Sequence, residues 1–248
     1  MISQLTPHLK RLKLGGMLDT LEVRNKEAIE RKITYIEFLT LLVEDEVERR
    51  SQNSFIRRLR RANFNSDKTL ESFDFEFNPS INKKQIFDLA TCHYIERKEN
   101  IWLLGQSGVG KTHLAQALAH EACRRDIDVV FTTADKMVND INGGRADGTI
   151  NQRISKYTKP PLLVLDEFAL KVFKVQEAED FYEVINQRCE RGSTIITSNR
   201  THEEWSEVFG DSLLASATID RLSFRAHKIE IVGPSYRTEG KRKNRQMK

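Results

Sequence analysis

The stretch Gly105-Gln106-Ser107-Gly108-Val109-Gly110-Lys111-Thr112 narrows the possible folds more than any other part of the chain. Four apolar residues, Ile101–Leu104, lead into it, and an amphipathic run from Lys111 to about Arg125 leaves it. Strand, glycine-rich turn and helix in that order put the turn at the carboxyl end of a parallel strand. Its backbone N–H groups and the positive end of the helix dipole then converge on one spot suited to a phosphate. In that geometry Lys111 reaches the β- and γ-phosphates of a nucleotide and the Thr112 hydroxyl binds Mg²⁺.

The rest of the chain repeats the alternation. Apolar strands are expected at Val129–Thr132, Leu162–Leu165 and Thr194–Thr197, with a helix from about Glu177 to Arg191 and Gly192 as its C-terminal cap. Alternating strands and helices mean an α/β fold with a parallel sheet flanked by helices. Upstream, the pattern is helical. Thr6-Pro7 reads as an N-cap followed by Pro in the first turn, Gly15-Gly16 as a break, and Thr34-Tyr35-Ile36-Glu37 as a capping box. The helix it opens carries Ile36, Leu39, Val43 and Val47 at core-facing spacing and runs on to Ala62. Phe73-Asp74-Phe75-Glu76-Phe77 alternates like an edge strand. These changes divide the chain into a small all-helical N-terminal domain (1–66), an α/β domain (67–236) and a basic tail (237–248).

Composition sets the outer limits. Of 248 residues, 39% are hydrophobic and 31% charged, with 12 Gly and 5 Pro, which excludes collagen-like and disordered classes. No apolar run is long enough to span a membrane, and the first residues lack the apolar core of a signal peptide. Three widely spaced cysteines, Cys92, Cys123 and Cys189, suit free thiols in a reducing cytoplasm. The net charge of +4 is concentrated in the tail, where Arg237–Lys248 holds six basic residues and one acid.

Two later segments bear on chemistry. Leu162–Leu165 ends in Asp166-Glu167, carboxylates delivered at the edge where open α/β sheets bind ligands. Asp166 suits the Mg²⁺ water shell, and Glu167 suits the positioning of an attacking water. A second acid there favours ATP hydrolysis over the alternative of a small-molecule P-loop kinase. Thr194–Thr197 runs into Ser198-Asn199-Arg200. Asn199 either simply closes the strand in a turn or reaches the γ-phosphate and the water; the residues leave both open.

Together the phosphate loop, Leu-Leu-Val-Leu-Asp-Glu and Thr-Ser-Asn-Arg resemble Walker A, Walker B and sensor 1 of AAA+ ATPases, in the initiator and helicase-loader branch. The likeness is strongest to the IstB family, ATPase helpers of insertion-sequence transposases, and weaker to the DnaC helicase loader. It includes Ile95–Asn100, Gly110–Ala115, Glu179–Arg188 and Ile219–Leu222. The resemblance implies an AAA+ P-loop core, with ATP held by Gly105, Gln106, Ser107, Gly108, Val109, Gly110, Lys111, Thr112 and His113, and with Mg²⁺ at Thr112 and Asp166. It implies Glu167 and Asn199 as catalytic residues and Arg221 as an arginine finger supplied to a neighbouring subunit's ATP. It also implies an ATP-dependent multimer on duplex DNA and a transposase partner. The segment after Ile229–Val232 is too short for a C-terminal helical lid, so none is expected.

Arg57, Arg58 and Arg61 share a helix face that either contacts DNA phosphates or is balanced by Glu44, Asp45, Glu46 and Glu48. The resemblance favours DNA. Gly143–Gly148 is expected as a mobile loop presenting Arg145 to DNA. The competing functions are a DnaC-like helicase loader, the small-molecule kinase, and a DNA-binding module in which ATP is only structural.

Overall fold

The computed structural model describes residues 2–64 and 67–238. The chain forms two compact units, Met1–Arg57 and Arg58–Lys248, which meet in sequence inside one helix. Of the basic tail, residues 239–248 lie outside the described residues.

The first unit contains α1 (Ile2–Arg11), α2 (Gly15–Arg31) and most of α3 (Tyr35–Ala62). The capping box forms: Thr34 N donates to Glu37 Oε2 at 2.7 Å and Glu37 N donates to Thr34 Oγ1 at 3.2 Å. Two expectations need correction. Helix α1 runs through Pro7 rather than starting there, because a proline this close to the helix start removes only one intrahelical bond. Gly15 and Gly16 open α2 instead of separating helices. A Cβ on Gly16 would lie 2.6 Å from the Glu46 Cα, so the glycine lets α2 and α3 touch backbone to backbone.

That close approach decides which face of α3 is covered. Glu46 accepts from Gly16 N at 2.6 Å, and Asp45 takes both Arg24 Nε (2.9 Å) and Nη2 (2.7 Å). Leu42 and Glu46 are buried on that side. The stripe expected to face the core, Ile36, Leu39, Val43 and Val47, is exposed instead, as is Ile56. Polar contacts to α2, which helical periodicity does not register, set the rotation of α3.

In the second unit, α4 (Lys83–Ala90) and α5 (His93–Glu96) precede β1 (Asn100–Gly105). There follow α6 (Lys111–Arg124), β2 (Val129–Thr133), α7 (Ala134–Asp147), α8 (Ile150–Thr158), β3 (Leu162–Phe168) and α9 (Val175–Arg188). The unit continues with β4 (Ser193–Ser198), a 3₁₀ turn at Glu203–Val208, α10 (Ser212–Ser223) and β5 (Ala226–Ile231). All strand pairs are parallel, in the order β2-β3-β4-β1-β5. The glycine-rich turn therefore leaves a strand flanked by β4 and β5, with β3 one position further, and the carboxyl ends of β1, β3 and β4 meet. Among the described residues, only the segment 232–238 follows β5, and no helical lid is present.

Three local expectations change here. Phe73–Phe77 is not a strand, because the Asp74 carboxylate accepts from Glu76 N (3.0 Å) and Phe77 N (3.1 Å) and folds the segment into turns. Gly143–Asp147 is the last part of helix α7, not a mobile loop. A Cβ on Gly144 would lie 2.8 Å from the Ile150 Cα, so this glycine serves helix packing. Gly192 lies beyond the cap of α9, which is Cys189, and sits against the Arg188 guanidinium.

Arg188 is 1% exposed and pairs with no carboxylate among the described residues. Its guanidinium donates to the carbonyls of Tyr157 (2.9 Å), Pro160 (2.8 Å) and Ser193 (2.5 Å), joining the turns that enter β3 and β4. Burial pushes its pKa down to about 9. Arg188→Met should leave those carbonyls without donors and cost roughly 3 kcal/mol or more. Urea unfolding checks this, and a loss below about 1 kcal/mol would contradict the account.

Candidate nucleotide site

Strand β1 ends at the loop Gly105–Gly110, and Lys111 is the first residue of α6. Gly108 (φ +87°) and Gly110 (φ +106°) adopt left-handed backbone, and each is also closed over by another segment. A Cβ on Gly108 would collide with Ser235, and one on Gly110 with the Phe73 ring at 2.9 Å. The loop is thus covered by the turn segment before β1 and by the strap after β5.

Lys111 Nζ donates to the carbonyls of Gly105 and Gln106, both at 2.7 Å, and is buried. Burial pushes its pKa down to about 8, Asp166 opposes that shift, and the charge of Arg237 adds to it. An ammonium held this way is positioned to transfer its bonds to phosphate oxygens.

The acids are organised by one hydroxyl. Asp166 Oδ1 accepts from Thr112 Oγ1 at 2.9 Å and from Thr197 Oγ1 at 2.5 Å. The same Thr197 oxygen accepts from Glu167 N at 3.1 Å. Glu167 has φ +56°, at a register shift between β3 and β4, so its side chain is exposed while Asp166 and Phe168 are buried. Thr197 was not singled out in the sequence, although its place at the end of an apolar β-branched strand was the available signal. A hydroxyl and a carboxylate in direct contact beside the loop form the hard oxygen donor set that Mg²⁺ takes alongside nucleotide phosphates and water. The residues fit the ion.

Thr112, Thr197 and Glu167 line a cavity of about 270 Å³, and Asp166 meets it through its bonds to the two threonines. Ser107 to His113, Glu167, Thr197 and Asn199 line it, so the three segments expected to share a site do meet. Gly105 and Gln106 serve from behind by holding Lys111. His113 turns away from the loop: its Nε2 lies 2.9 Å from Thr69 O, its ring stands edge-on to Phe73, and burial lowers its pKa. The cavity also contains residues that the motifs gave no reason to choose, notably Asn78, Phe77, Tyr236 and Arg237. Only the folding of distant segments onto the loop brings them there.

The family described as IstB-like ATP binding protein matches residues 7–244. The chain belongs to that family. It is 43% identical over 230 residues to an ATP-binding protein in an insertion sequence of Mycobacterium tuberculosis, covering 92% of each chain. AMPPCP-bound DnaA from Aquifex aeolicus matches with a TM-score of 0.59 and 24% identity, over 73% of this chain and 56% of that one. The DnaC helicase loader matches with a TM-score of 0.57 and 18% identity, over 67% of this chain and 98% of that one. This IstB-like chain therefore has the AAA+ fold.

Other candidate residues lie outside the cavity. Arg221 is on α10, where its guanidinium donates to Asn186 Oδ1 and Ala217 O, both at 2.8 Å, and lies over the Tyr182 ring. Arg145 is exposed on helix α7 rather than on a loop, and it makes a two-point ion pair with the buried Asp180 of α9. Arg58 pairs with Asp126 at 2.6 Å. Arg61 is exposed. Arg57 is exposed and, in the first unit, lines a groove with Lys10, Lys13, Arg49 and Arg50. Arg49 is paired with Asp19 and Arg50 with Glu46.

Thr197→Val removes a donor from Asp166 and an acceptor from Glu167 N at almost constant volume. It should cost about 1–3 kcal/mol of stability in the absence of nucleotide. Denaturant titration of the unliganded protein measures this, and wild-type stability would refute the bridging role.

Proposed function

We propose that this IstB-like protein is a Mg²⁺-dependent ATPase that assembles on duplex DNA when ATP is bound and assists the transposase of its insertion sequence. The Thr112–Asp166–Thr197–Glu167 arrangement beside the phosphate loop carries the hydrolytic part. It places one carboxylate beside the Thr112 hydroxyl and exposes a second, Glu167, into the same cavity. Mg²⁺ at Thr112 and Asp166 would neutralise developing phosphate charge. Glu167 and Asn199 would orient the attacking water, and Lys111 would hold the phosphates.

Arg221 supports the multimer. It does not line the cavity of its own chain, and its contacts with Asn186 and Tyr182 hold it ready on the α9–α10 surface. An arginine arriving from a second subunit completes transition-state charge stabilisation only on assembly. The DNA part rests on Arg57, Lys10 and Lys13, cations of one groove that are in no ion pair among the described residues, and on exposed Arg61. Arg58 contributes less, since Asp126 already holds it, and Arg145 is not retained. The fold shared with DnaC favours helicase loading as the second reading.

The deciding experiment measures ATP turnover and sedimentation with and without duplex DNA. DNA should stimulate turnover and ATP should promote assembly; absence of both effects refutes the proposal. Arg221→Ala should retain ATP binding and lose turnover by roughly 10³-fold, whereas normal turnover removes the finger assignment. Lys10/Lys13/Arg57→Ala should weaken duplex binding and reduce the slope of log affinity against log salt by up to about 3. An unchanged slope would assign those residues to a solvated surface.

A further inference from the structure

Glu167 and Asn199, the two side chains proposed to orient the attacking water, are both exposed in the cavity. No hydrogen bond holds either side chain among the described residues. Where they point is therefore set by the backbone around them. For Glu167 that backbone is fixed by the bond from its N–H to Thr197 and by the burial of the next residue, Phe168. For Asn199 it is fixed by Ser198, which is wholly buried at the end of β4. Ser198 Oγ accepts from Arg200 N at 3.1 Å, closing a tight turn with Asn199 at its tip.

The second donor to that oxygen comes from outside the strand. Trp205, in the 3₁₀ turn Glu203–Val208, is fully buried, and its Nε1 donates to Ser198 Oγ at 3.1 Å. Both lone pairs of the hydroxyl are then used. The same indole stands edge-on to Phe168 with centroids 4.9 Å apart and lies 4.6 Å from the Trp102 ring of β1. One side chain thus touches the residue after Glu167 and the residue before Asn199. Phe168 and Ser198 are register partners beyond the shift between β3 and β4, so the indole braces the step where the two strands enter the site. Packing alone does not call for the bond: Trp102, in the same core, leaves its own Nε1 without a hydrogen-bond partner among the described residues. A phenylalanine in place of Trp205 would fill much of the space and lack the donor.

We propose that Trp205 is a positioning residue for ATP hydrolysis, acting on Asn199 through Ser198 and on Glu167 through Phe168. The assignment rests on the ATPase reading above and adds to it the residue that fixes the two water-orienting groups relative to one another. A water held by side chains from two strands is aligned with the γ-phosphate only while the strand ends keep their separation. An error near 1 Å costs on the order of 10²-fold in rate. ATP binding by Lys111 and the loop N–H groups has no such requirement, and Trp205 does not line the cavity.

The test uses the full chain with ATP, Mg²⁺ and duplex DNA, and compares Trp205→Phe, Ser198→Ala and the double variant with wild type. Trp205→Phe keeps a ring against Phe168 and removes the donor, and Ser198→Ala removes the acceptor. Each should lower kcat roughly tenfold, while KM and ATP affinity by calorimetry stay within about twofold of wild type. The double variant should be no slower than the slower single one, because both changes break the same bond. A merely structural tryptophan predicts lower stability to urea with kcat unchanged. Unchanged kcat in either folded single variant, losses that add in the double, or a parallel loss of ATP affinity and kcat overturns the positioning role. If Trp205→Phe fails to fold, the kcat of Ser198→Ala decides alone. A wild-type protein that binds ATP without turning it over overturns the ATPase reading itself, whereas wild-type turnover with unaffected variants removes only the role of Trp205.

Discussion

The Thr197 hydroxyl is the hinge of the site. It donates to Asp166 and accepts from Glu167 N, so one oxygen at the end of β4 sets the position of two consecutive acids at the end of β3. Through Asp166 the link continues to Thr112 in the first turn of α6. This works because β4 lies between β1 and β3 and all three strands are parallel. Their carboxyl ends then coincide, and a short side chain suffices to connect them. A charged residue at this point would need its own partner; a threonine can be donor and acceptor at once.

The strain around Glu167 follows from the same link. Regular alternation along β3 would not present Asp166 to Thr112 and Glu167 to the cavity while keeping Phe168 in the core. The positive φ at Glu167 and the register shift before Phe168 resolve the conflict. Phe168 then packs parallel to Phe181 at 5.0 Å and edge-on to Trp205 at 4.9 Å, among the largest buried side chains. Aromatic burial on one side and the Thr197 bond on the other hold a backbone geometry that a non-glycine residue rarely adopts.

The features that could be read in the sequence are those whose partners lie within a few residues. The phosphate loop, the Thr34–Glu37 capping box and the buried run Leu162–Leu165 of β3 depend on local spacing, and their geometry follows from it. The parallel sheet follows from the alternation of elements. By contrast, the covered face of α3 depends on Gly16 and Arg24, 30 and 21 residues from their partners Glu46 and Asp45. Glycines mislead in the same way: Gly15–Gly16 and Gly143–Gly144 look like breaks, yet at Gly16 and Gly144 the missing Cβ admits a neighbouring helix. In the site, Thr112, Asp166, Glu167 and Asn199 belong to motifs, whereas Asn78 and Tyr236 belong to none. Those two reach the cavity only because segments before β1 and after β5 fold back across the loop.

Three arginines on or against helix α9 end in different states. Asp180 neutralises Arg145 in a two-point pair, Arg188 is consumed by main-chain carbonyls, and Asn186 with Tyr182 takes Arg221 without a carboxylate. An amide and an aromatic ring orient a guanidinium while leaving its full charge uncompensated. A carboxylate in the Asn186 position would bind Arg221 more tightly and cancel the field that a phosphate would feel. Of these three arginines on or against α9, only Arg221 is therefore both ordered and electrostatically available at the surface. That combination suits a charge that must act on another molecule: loose attachment would cost entropy on docking, and ion pairing would cost the breaking of a strong bond.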